Sequence, residues 1–334
     1  MISEMQSLAN KMAPPGVHPS KTGMIIILLC LAASVIYFST SLRKSNVVDM
    51  KMLLIASIDF AERGGDQVRL VQESGKLSKT SKGKTLEGAD NPLTQGDMRS
   101  HRAITQAFAY SFPSLKVISE EKDSAHISTE DIPLAPMSNK EVDYFTSKPF
   151  QEVDVNDITV WVDPLDATQE FTEGLDEYVT TMVCVAVNGK PVIGVIHKPF
   201  EKKTYWSWVG HGSNIQDDSK FDTGTKIIVS RSHAGEVKET AKKSFGENVE
   251  VIPAGGAGYK SLALFNGVAN AYIHTTLIKK WDICAGNAIL NHAKGKMTTL
   301  KGEEIDYSSE TDPKNHGGLL AALHQHKSFL DKLA

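Results

Sequence analysis

The sequence predicts an α/β fold, and three observations carry that expectation. From Lys226 onward, short β-branched runs alternate with helical patterns, the order that lays helices onto a sheet. Before that point, the apolar runs Tyr178 to Val187 and Val192 to His197 are joined by Asn188-Gly189, a strong signal for a hairpin. The composition is 41% hydrophobic and 23% charged over 334 residues, which suits one large domain or two packed ones. It argues against disorder, collagen-like repeats and a coiled coil.

The elements follow in order. Residues Gly23 to Ser41 read GMIIILLCLAASVIYFSTS, nineteen residues without a charge. A helix of that length roughly spans the hydrocarbon of a bilayer. Lys21 precedes it, Arg43 and Lys44 follow it, and Tyr37 and Phe38 stand near one end, where aromatics favour the membrane interface. The expectation is an uncleaved transmembrane anchor over 23–41, behind a short tail at 1–22. A cleaved signal segment is the rival, because the strongly apolar part runs only from Met24 to Phe38. A core helix is the plain alternative. Basic residues on the two sides nearly balance, so charge does not set the orientation.

Val48, Met52, Ile55, Ala56, Phe60, Val68, Leu70 and Val71 then recur at helical spacing, with a break expected at Gly64-Gly65. Residues 76 to 96 are polar and read as an exposed loop. A second helix is expected from Gly96-Asp97 through Ile104 and Phe108 to Phe112, before Pro113. Lys116 to Ser119 reads as a strand ending in Glu120-Glu121. Residues 122 to 157 read as a surface excursion. Strands are expected at Thr159 to Val162 and Thr204 to Val209, where Trp206 and Trp208 read as packing residues. After a loop at 210 to 225, strands at Lys226 to Ser230, Val249 to Pro253 and Ala271 to His274 alternate with helices near 234–245, 258–268 and 282–293.

Cys30, Cys184 and Cys284 form no CxxC pair and no disulfide framework, so they read as small buried apolar residues. The formal net charge of −4 supplies no basic field for nucleic acid.

The segment richest in chemistry is Trp161-Val-Asp163-Pro-Leu-Asp166-Ala-Thr168-Gln-Glu170. A β-branched strand delivers Asp163 to its end, and Pro164 disfavours continuing it. Asp166 follows near a helix start. Two carboxylates so placed can share hard cations, and N–H groups at the helix start would face an anion. The plain alternative is a capped turn.

DPLDAT resembles the D-P-(I/L)-D-(G/A)-T signature of the inositol monophosphatase superfamily. Ile118-Ser-Glu120-Glu121 resembles that family's strand-end glutamate pair. Lys280-Trp281-Asp282-Ile283-Cys284-Ala285-Gly286 resembles its downstream W-D-x-x-(A/P) motif. The matches lie in the family's order between Gly96 and Gly286, well over half the chain.

The resemblance implies a layered α/β/α/β/α sandwich, with an N-terminal α+β half over 45–225 that carries a metal site and a C-terminal α/β half over 226–334. It implies a phosphoric monoester hydrolase using two or three Mg²⁺ ions, sensitive to lithium. Glu120, Asp163, the Leu165 carbonyl oxygen, Asp166 and Asp282 would be the metal ligands. Thr168 and Asp97 match the family's catalytic pair: the Thr168 hydroxyl would accept a hydrogen bond from the attacking water, with Asp97 behind it. A helix cap is the plain alternative for Asp97. Ser230 and His233, in Val-Ser-Arg-Ser-His, match positions that bind nucleotide in relatives, as do Gly256 and Lys260, in Gly-Gly-Ala-Gly-Tyr-Lys.

Those two downstream segments resemble the branch of the family that removes the 3′-phosphate of adenosine 3′,5′-bisphosphate. That branch implies a small-molecule nucleotide substrate and a single-pass type II anchor in the Golgi membrane, with the catalytic part lumenal. Inositol phosphates are the alternative substrates. A non-catalytic anchored binding protein is a third reading, opposed by the presence of all four acidic ligands. Homodimers are common among relatives, though nothing in the sequence shows one.

Overall fold

The computed structural model describes residues 20–44, 46–84, 88, 90–123, 132–146, 151–219, 224–231 and 237–333. The chain divides into two units, residues 1–47 and 48–334.

In the first unit a helix runs from Lys21 to Lys44. The side chains of Ile25, Ile26, Ile27, Leu28, Leu29, Leu31 and Val35 are exposed on it. Among the described residues no helix is long and apolar enough to cross a membrane. The expected span at 23–41 is corrected to that extent. Its strongly apolar run is short: Met24 to Phe38 would rise about 22 Å as a helix, against about 30 Å of hydrocarbon.

The second unit is built in layers around a six-stranded sheet. In spatial order its strands are Gly212–Ser213, Lys203–Trp208, Lys190–Lys198, Thr180–Val187, Ile158–Asp166 and Lys116–Ser119. Neighbours are antiparallel except the last pair, which is parallel. The Asn188-Gly189 turn is present, with φ of 49° and 75°, the positive values that a type I′ hairpin demands.

Alternate residues of a strand face opposite ways, so this sheet buries two apolar faces. On one, Val160, Val162, Val183, Val185, Trp206 and Trp208 pack with Leu53, Phe60, Ile104 and Phe108 from the helices Met50–Ser74 and Gln95–Ser111. On the other, Trp161, Met182, Cys184 and Ile196 meet Ile283, Ala285 and Ala288 of the helix Lys280–His292. A second sheet covers that helix from its far side with Ile228, Tyr272, Leu319 and Ala321. Its strands run in the order Glu250–Ala254, Lys226–Ser230, Ala271–His274, Leu319–Ala322 and Lys296–Thr298. Its outer face, with Ile227, Val229, Ile273 and Leu320, packs on the helices Val237–Phe245 and His326–Leu333. The succession of helix, sheet, helix, sheet, helix is the sandwich that the sequence resemblance implied. Each fully buried Val, Leu or Phe here contributes roughly 1.5–3 kcal/mol, so a sheet buried on both faces is a large stabilising term.

Three local expectations are corrected. The helix Met50–Ser74 runs unbroken through Gly64-Gly65. A Cβ at Gly64 would fall 2.6 Å from Ile104 Cδ1, and one at Gly65 would fall 2.4 Å from His197 Cδ2. These glycines admit close neighbours instead of ending the helix. The supposed loop at 76–96 contains an antiparallel hairpin, Thr80–Lys84 with Asp90–Leu93. Finally, Cys184 and Cys284 form a disulfide across 100 residues of sequence. The sheet and the helix packed on it bring their Cα atoms to 5.7 Å, within the reach of that bond.

Candidate active site

Strand register sets the first carboxylates side by side. Ser119 pairs with Val162 in the parallel ladder, so Glu120 emerges next to Asp163. The Glu120 N–H donates to the Val162 carbonyl at 3.1 Å. On the other side the register with Thr180–Val187 slips between Asp163 and Asp166, where Pro164 has no N–H to give the ladder. Ser100 Oγ donates to the Pro164 carbonyl at 2.5 Å. Ala167 then adopts a left-handed φ of 69° as the chain turns into the helix Thr168–Glu173. Such strain at a residue with a Cβ clusters at functional sites.

The other acidic groups are held by specific donors. Asp166 Oδ1 accepts from the Ala257 N–H at 3.0 Å, while Oδ2 accepts from the Gly258 N–H at 2.8 Å and Thr180 Oγ1 at 3.0 Å. A Cβ at Gly258 would fall 2.5 Å from Thr180 Oγ1, so glycine lets the backbone reach the carboxylate. Asp282 lies in the first turn of Lys280–His292 and accepts from the Lys279 N–H at 3.0 Å. Asp163 Oδ1 accepts from the Leu165 N–H at 3.2 Å. Thr168 Oγ1 lies 2.9 Å from Asp97 Oδ1 and 3.0 Å from the Leu165 carbonyl oxygen. The buried Asp97 also accepts from Thr94 N–H and Oγ1 at 2.7 and 2.6 Å. Its helix-capping role is therefore present together with the Thr168 contact.

The electrostatics follow from crowding. Burial raises the Asp163 carboxyl well above its ordinary range, and repulsion from Glu120, Asp166 and Asp282 adds to it. Asp282 is raised well by burial, then by Glu120 and Asp166. Burial also raises Asp166, against the pull of Lys260 and its three donors, and it raises Asp97. A lysine from the hairpin reaches into this field. Lys82 Nζ donates to Glu120 Oε1 at 2.8 Å and Glu121 Oε1 at 2.5 Å. Burial opposes its charge, but the two glutamates outweigh that and raise its pKa.

Among the described residues, no group of three or more His, Cys, Asp or Glu side chains is gathered to hold a metal ion as it stands. The oxygens turn instead to N–H groups, hydroxyls and Lys82. The donor set itself, crowded carboxylates plus a backbone carbonyl, is hard oxygen that fits a hard divalent cation.

Glu120, Asp163, Leu165, Asp166, Thr168, Ser230, Gly256, Lys260 and Asp282 all line one cavity of about 390 Å³. Asp97 stands behind Thr168, outside that lining. His233 lies outside the described residues. Lys260 departs from a simple phosphate-binding charge. Its buried ammonium donates to the Gly256 and Ala254 carbonyls at 2.5 and 3.3 Å, and burial lowers its pKa to about 8.

Two groups on the cavity wall escaped sequence reasoning. Lys84, Asn91 and Pro92 belong to the hairpin, and Lys279 and Lys314 to a two-rung ladder. Lys279 abuts the Lys-Trp-Asp motif, a signal that was there to find. Lys314 has no motif around it.

Comparison with known proteins agrees with this geometry. The inositol monophosphatase family profile matches residues 49–333. Inositol monophosphatase 3 of Danio rerio is 48% identical over 346 residues, covering 96% of this chain and 98% of the relative. The Golgi-resident adenosine 3′,5′-bisphosphate 3′-phosphatase of Mus musculus is 49% identical over 299 residues, covering 86% of this chain and 82% of the relative. Among solved structures, CysQ from Bacteroides thetaiotaomicron, a bacterial member of the inositol monophosphatase family, gives a TM-score of 0.58 at 23% identity, covering 81% of this chain and 97% of that one. An IMPase/NADP phosphatase complexed with Mg²⁺ and phosphate gives 0.54 at 20% identity, covering 79% and 90%. These structural likenesses speak for the fold, and the profile and the relatives extend the match over nearly the whole sequence. The chain belongs to the inositol monophosphatase family.

Proposed function

We propose that this chain is a divalent-cation-dependent phosphatase that removes the 3′-phosphate of adenosine 3′,5′-bisphosphate in the Golgi lumen, leaving AMP and phosphate. The observation that carries the reading is the pair of buried Asp97 and cavity-lining Thr168 set against four carboxylates on one cavity. Thr168 O–H donates to Asp97, which leaves a hydroxyl lone pair to accept a hydrogen bond from the attacking water. Burial raises the Asp97 pKa, so that carboxylate is a better acceptor for the proton the water gives up. Glu120, Asp163, the Leu165 carbonyl, Asp166 and Asp282 would hold two or three Mg²⁺ ions. Bound there, the cations supply a lowered pKa for water and neutralise charge on the phosphoryl and departing oxygens. Ser230, His233, Gly256 and Lys260 are assigned to the nucleotide.

The bisphosphate assignment is supported by relatives of that name at 48–49% identity. A second reading, hydrolysis of inositol phosphates, is supported by relatives of comparable identity named inositol monophosphatase 3. Phosphate release by the purified full chain with Mg²⁺ separates them. Turnover of adenosine 3′,5′-bisphosphate in preference to inositol 1-phosphate is expected. Efficient inositol phosphate turnover with none of the nucleotide would defeat the assignment.

Lumenal placement is supported by the relatives' Golgi-resident name and by the Cys184–Cys284 disulfide, a bond that persists in oxidising compartments. Attachment to the membrane through the helix Lys21–Lys44 is supported by its exposed apolar side chains. The chain should resist alkaline extraction from membranes and survive added protease until detergent is present. Release by alkali and digestion in intact vesicles would reverse both placements.

A further inference from the structure

We propose that Lys279 and Lys314 form an anion subsite at the wall of the cavity, which takes a second phosphate of a bisphosphorylated substrate and so selects bisphosphates over monophosphates. The inference rests on the phosphatase reading above and adds to it the device that recognises the group not being cleaved.

The two lysines come from distant parts of the chain and meet in a short antiparallel ladder. Its rungs are Ile278 with Asn315 and Lys279 with Lys314. Directly opposed residues point to the same side, with Cβ atoms about 4.5–5.5 Å apart, so both ammonium groups project from one face. That face is the cavity: Lys279 and Lys314 both line it. On the other rung Ile278 and Asn315 are buried, and Ile278 also borders the cavity. Asn315 Nδ2 donates to the Gly318 carbonyl at 2.8 Å, and the Lys280 N–H donates to the Pro313 carbonyl at 2.8 Å. The ladder is therefore anchored at both ends.

Like charges directly opposed across a ladder destabilise it, and the carboxylates that act on them, Asp282 on Lys279 and Asp312 on Lys314, do so without closing an ion pair. Among the described residues neither ammonium takes part in a salt bridge. Lys279 Nζ instead lies 5.0 Å from the centre of the Trp281 ring, an aromatic seat that holds a cation without neutralising it. A repulsive pair on a cavity wall is stabilised by an anion that bridges it. Lys260, by contrast, directs its ammonium at two backbone carbonyls. Asp282 follows Lys279 by three residues and lines the same cavity. The carboxylates would hold the cations at the reacting phosphate, and the lysine pair would hold the phosphate that stays.

The test compares adenosine 3′,5′-bisphosphate with adenosine 3′-monophosphate, which differ only in the second phosphate, on the full chain with Mg²⁺. In Lys279→Met/Lys314→Met the KM for the bisphosphate should rise about tenfold to a hundredfold, as expected for the loss of charge-assisted contacts. Neither kcat nor KM for the monophosphate should move, and Lys279→Arg/Lys314→Arg should restore most of the preference. Lys280→Met is the control, because Lys280 Nζ donates to Thr311 Oγ1 and does not line the cavity; it should leave the ratio unchanged. Equal losses on both substrates, or no change on either, would overturn the subsite. If the wild type turns over inositol phosphates and no nucleotide, the nucleotide reading falls. The same ratio, taken on an inositol bisphosphate against its monophosphate, then decides the subsite.

Discussion

The two flanks of the carboxylate cluster are held in different ways. On the core flank, Asp166 accepts three hydrogen bonds from backbone and hydroxyl donors of buried elements. Asp282 is fixed in the first turn of a helix whose Cys284 is bonded to Cys184 in the central sheet. On the outer flank, Glu120 and Glu121 share the ammonium of Lys82. That residue comes from Thr80–Lys84, a strand exposed along its whole length. Backbone donors cannot leave Asp166 without local unfolding, whereas a lysine on an exposed hairpin can swing away. One flank is fixed by the backbone, and the other is held by a side chain that can move.

Breaking the core flank has the largest expected effect. In Asp166→Asn, an amide that must both donate and accept faces donors on both sides, and a negative charge beside Asp163 is lost. Phosphate release should fall by about a thousandfold, on the order of 4 kcal/mol of barrier. An unchanged rate and an unchanged Mg²⁺ requirement would remove Asp166 from the proposed metal site, and with it the preorganised flank.

Loosening the same flank without touching a carboxylate is the next step. The Cys184→Ala/Cys284→Ala variant frees a crosslink that spans 100 residues. Loop-closure entropy for that span gives about 4.7 kcal/mol, roughly an 8 °C fall in the thermal midpoint for a domain of this size. Both cysteines are buried, so alanine adds no unsatisfied polar group. Calorimetry in the absence of reductant checks it. An unchanged midpoint would mean that packing alone holds the Asp282 helix to the sheet.

The core flank was also the legible one. Asp163, Asp166 and Thr168 sit within six residues at the end of an apolar strand, so local pattern and motif together announce them. The α/β class was legible for a related reason, since the strands that build the two sheets carry their periodicity in contiguous sequence, whereas the five layers came with the family resemblance. The disulfide was not, because neither Cys184 nor Cys284 has a partner in its own neighbourhood, and only the packing of a helix on a sheet brings them together. Gly64-Gly65 misled because a glycine pair reads as a helix break unless His197 and Ile104 are known to press against it. The strand Thr80–Lys84 was hidden because its residues are polar or glycine and it shows no apolar alternation, and Lys314 by the absence of any motif. What escaped was set by tertiary contact, and it includes Lys82.

Releasing the outer flank has the smallest expected effect and the opposite sign. If Lys82 competes with a divalent cation for Glu120, Lys82→Met removes an internal competitor. The Glu120 and Glu121 side chains are then left uncompensated, as Coulomb repulsion already acts between them. Divalent cation binding should tighten by about threefold to tenfold, around 1 kcal/mol, the scale of a partly exposed ion pair. Mn²⁺ titration followed by electron paramagnetic resonance reads this without turnover. In the wild type, loading the cation should also make the strands Thr80–Lys84 and Asp90–Leu93 more sensitive to protease, because their lysine has been displaced. Weaker Mn²⁺ binding in Lys82→Met, with a hairpin that becomes protected on loading, would mean that Lys82 closes over the loaded cations as a partner. Both flanks would then be preorganised, and the contrast between them would reduce to one of exposure.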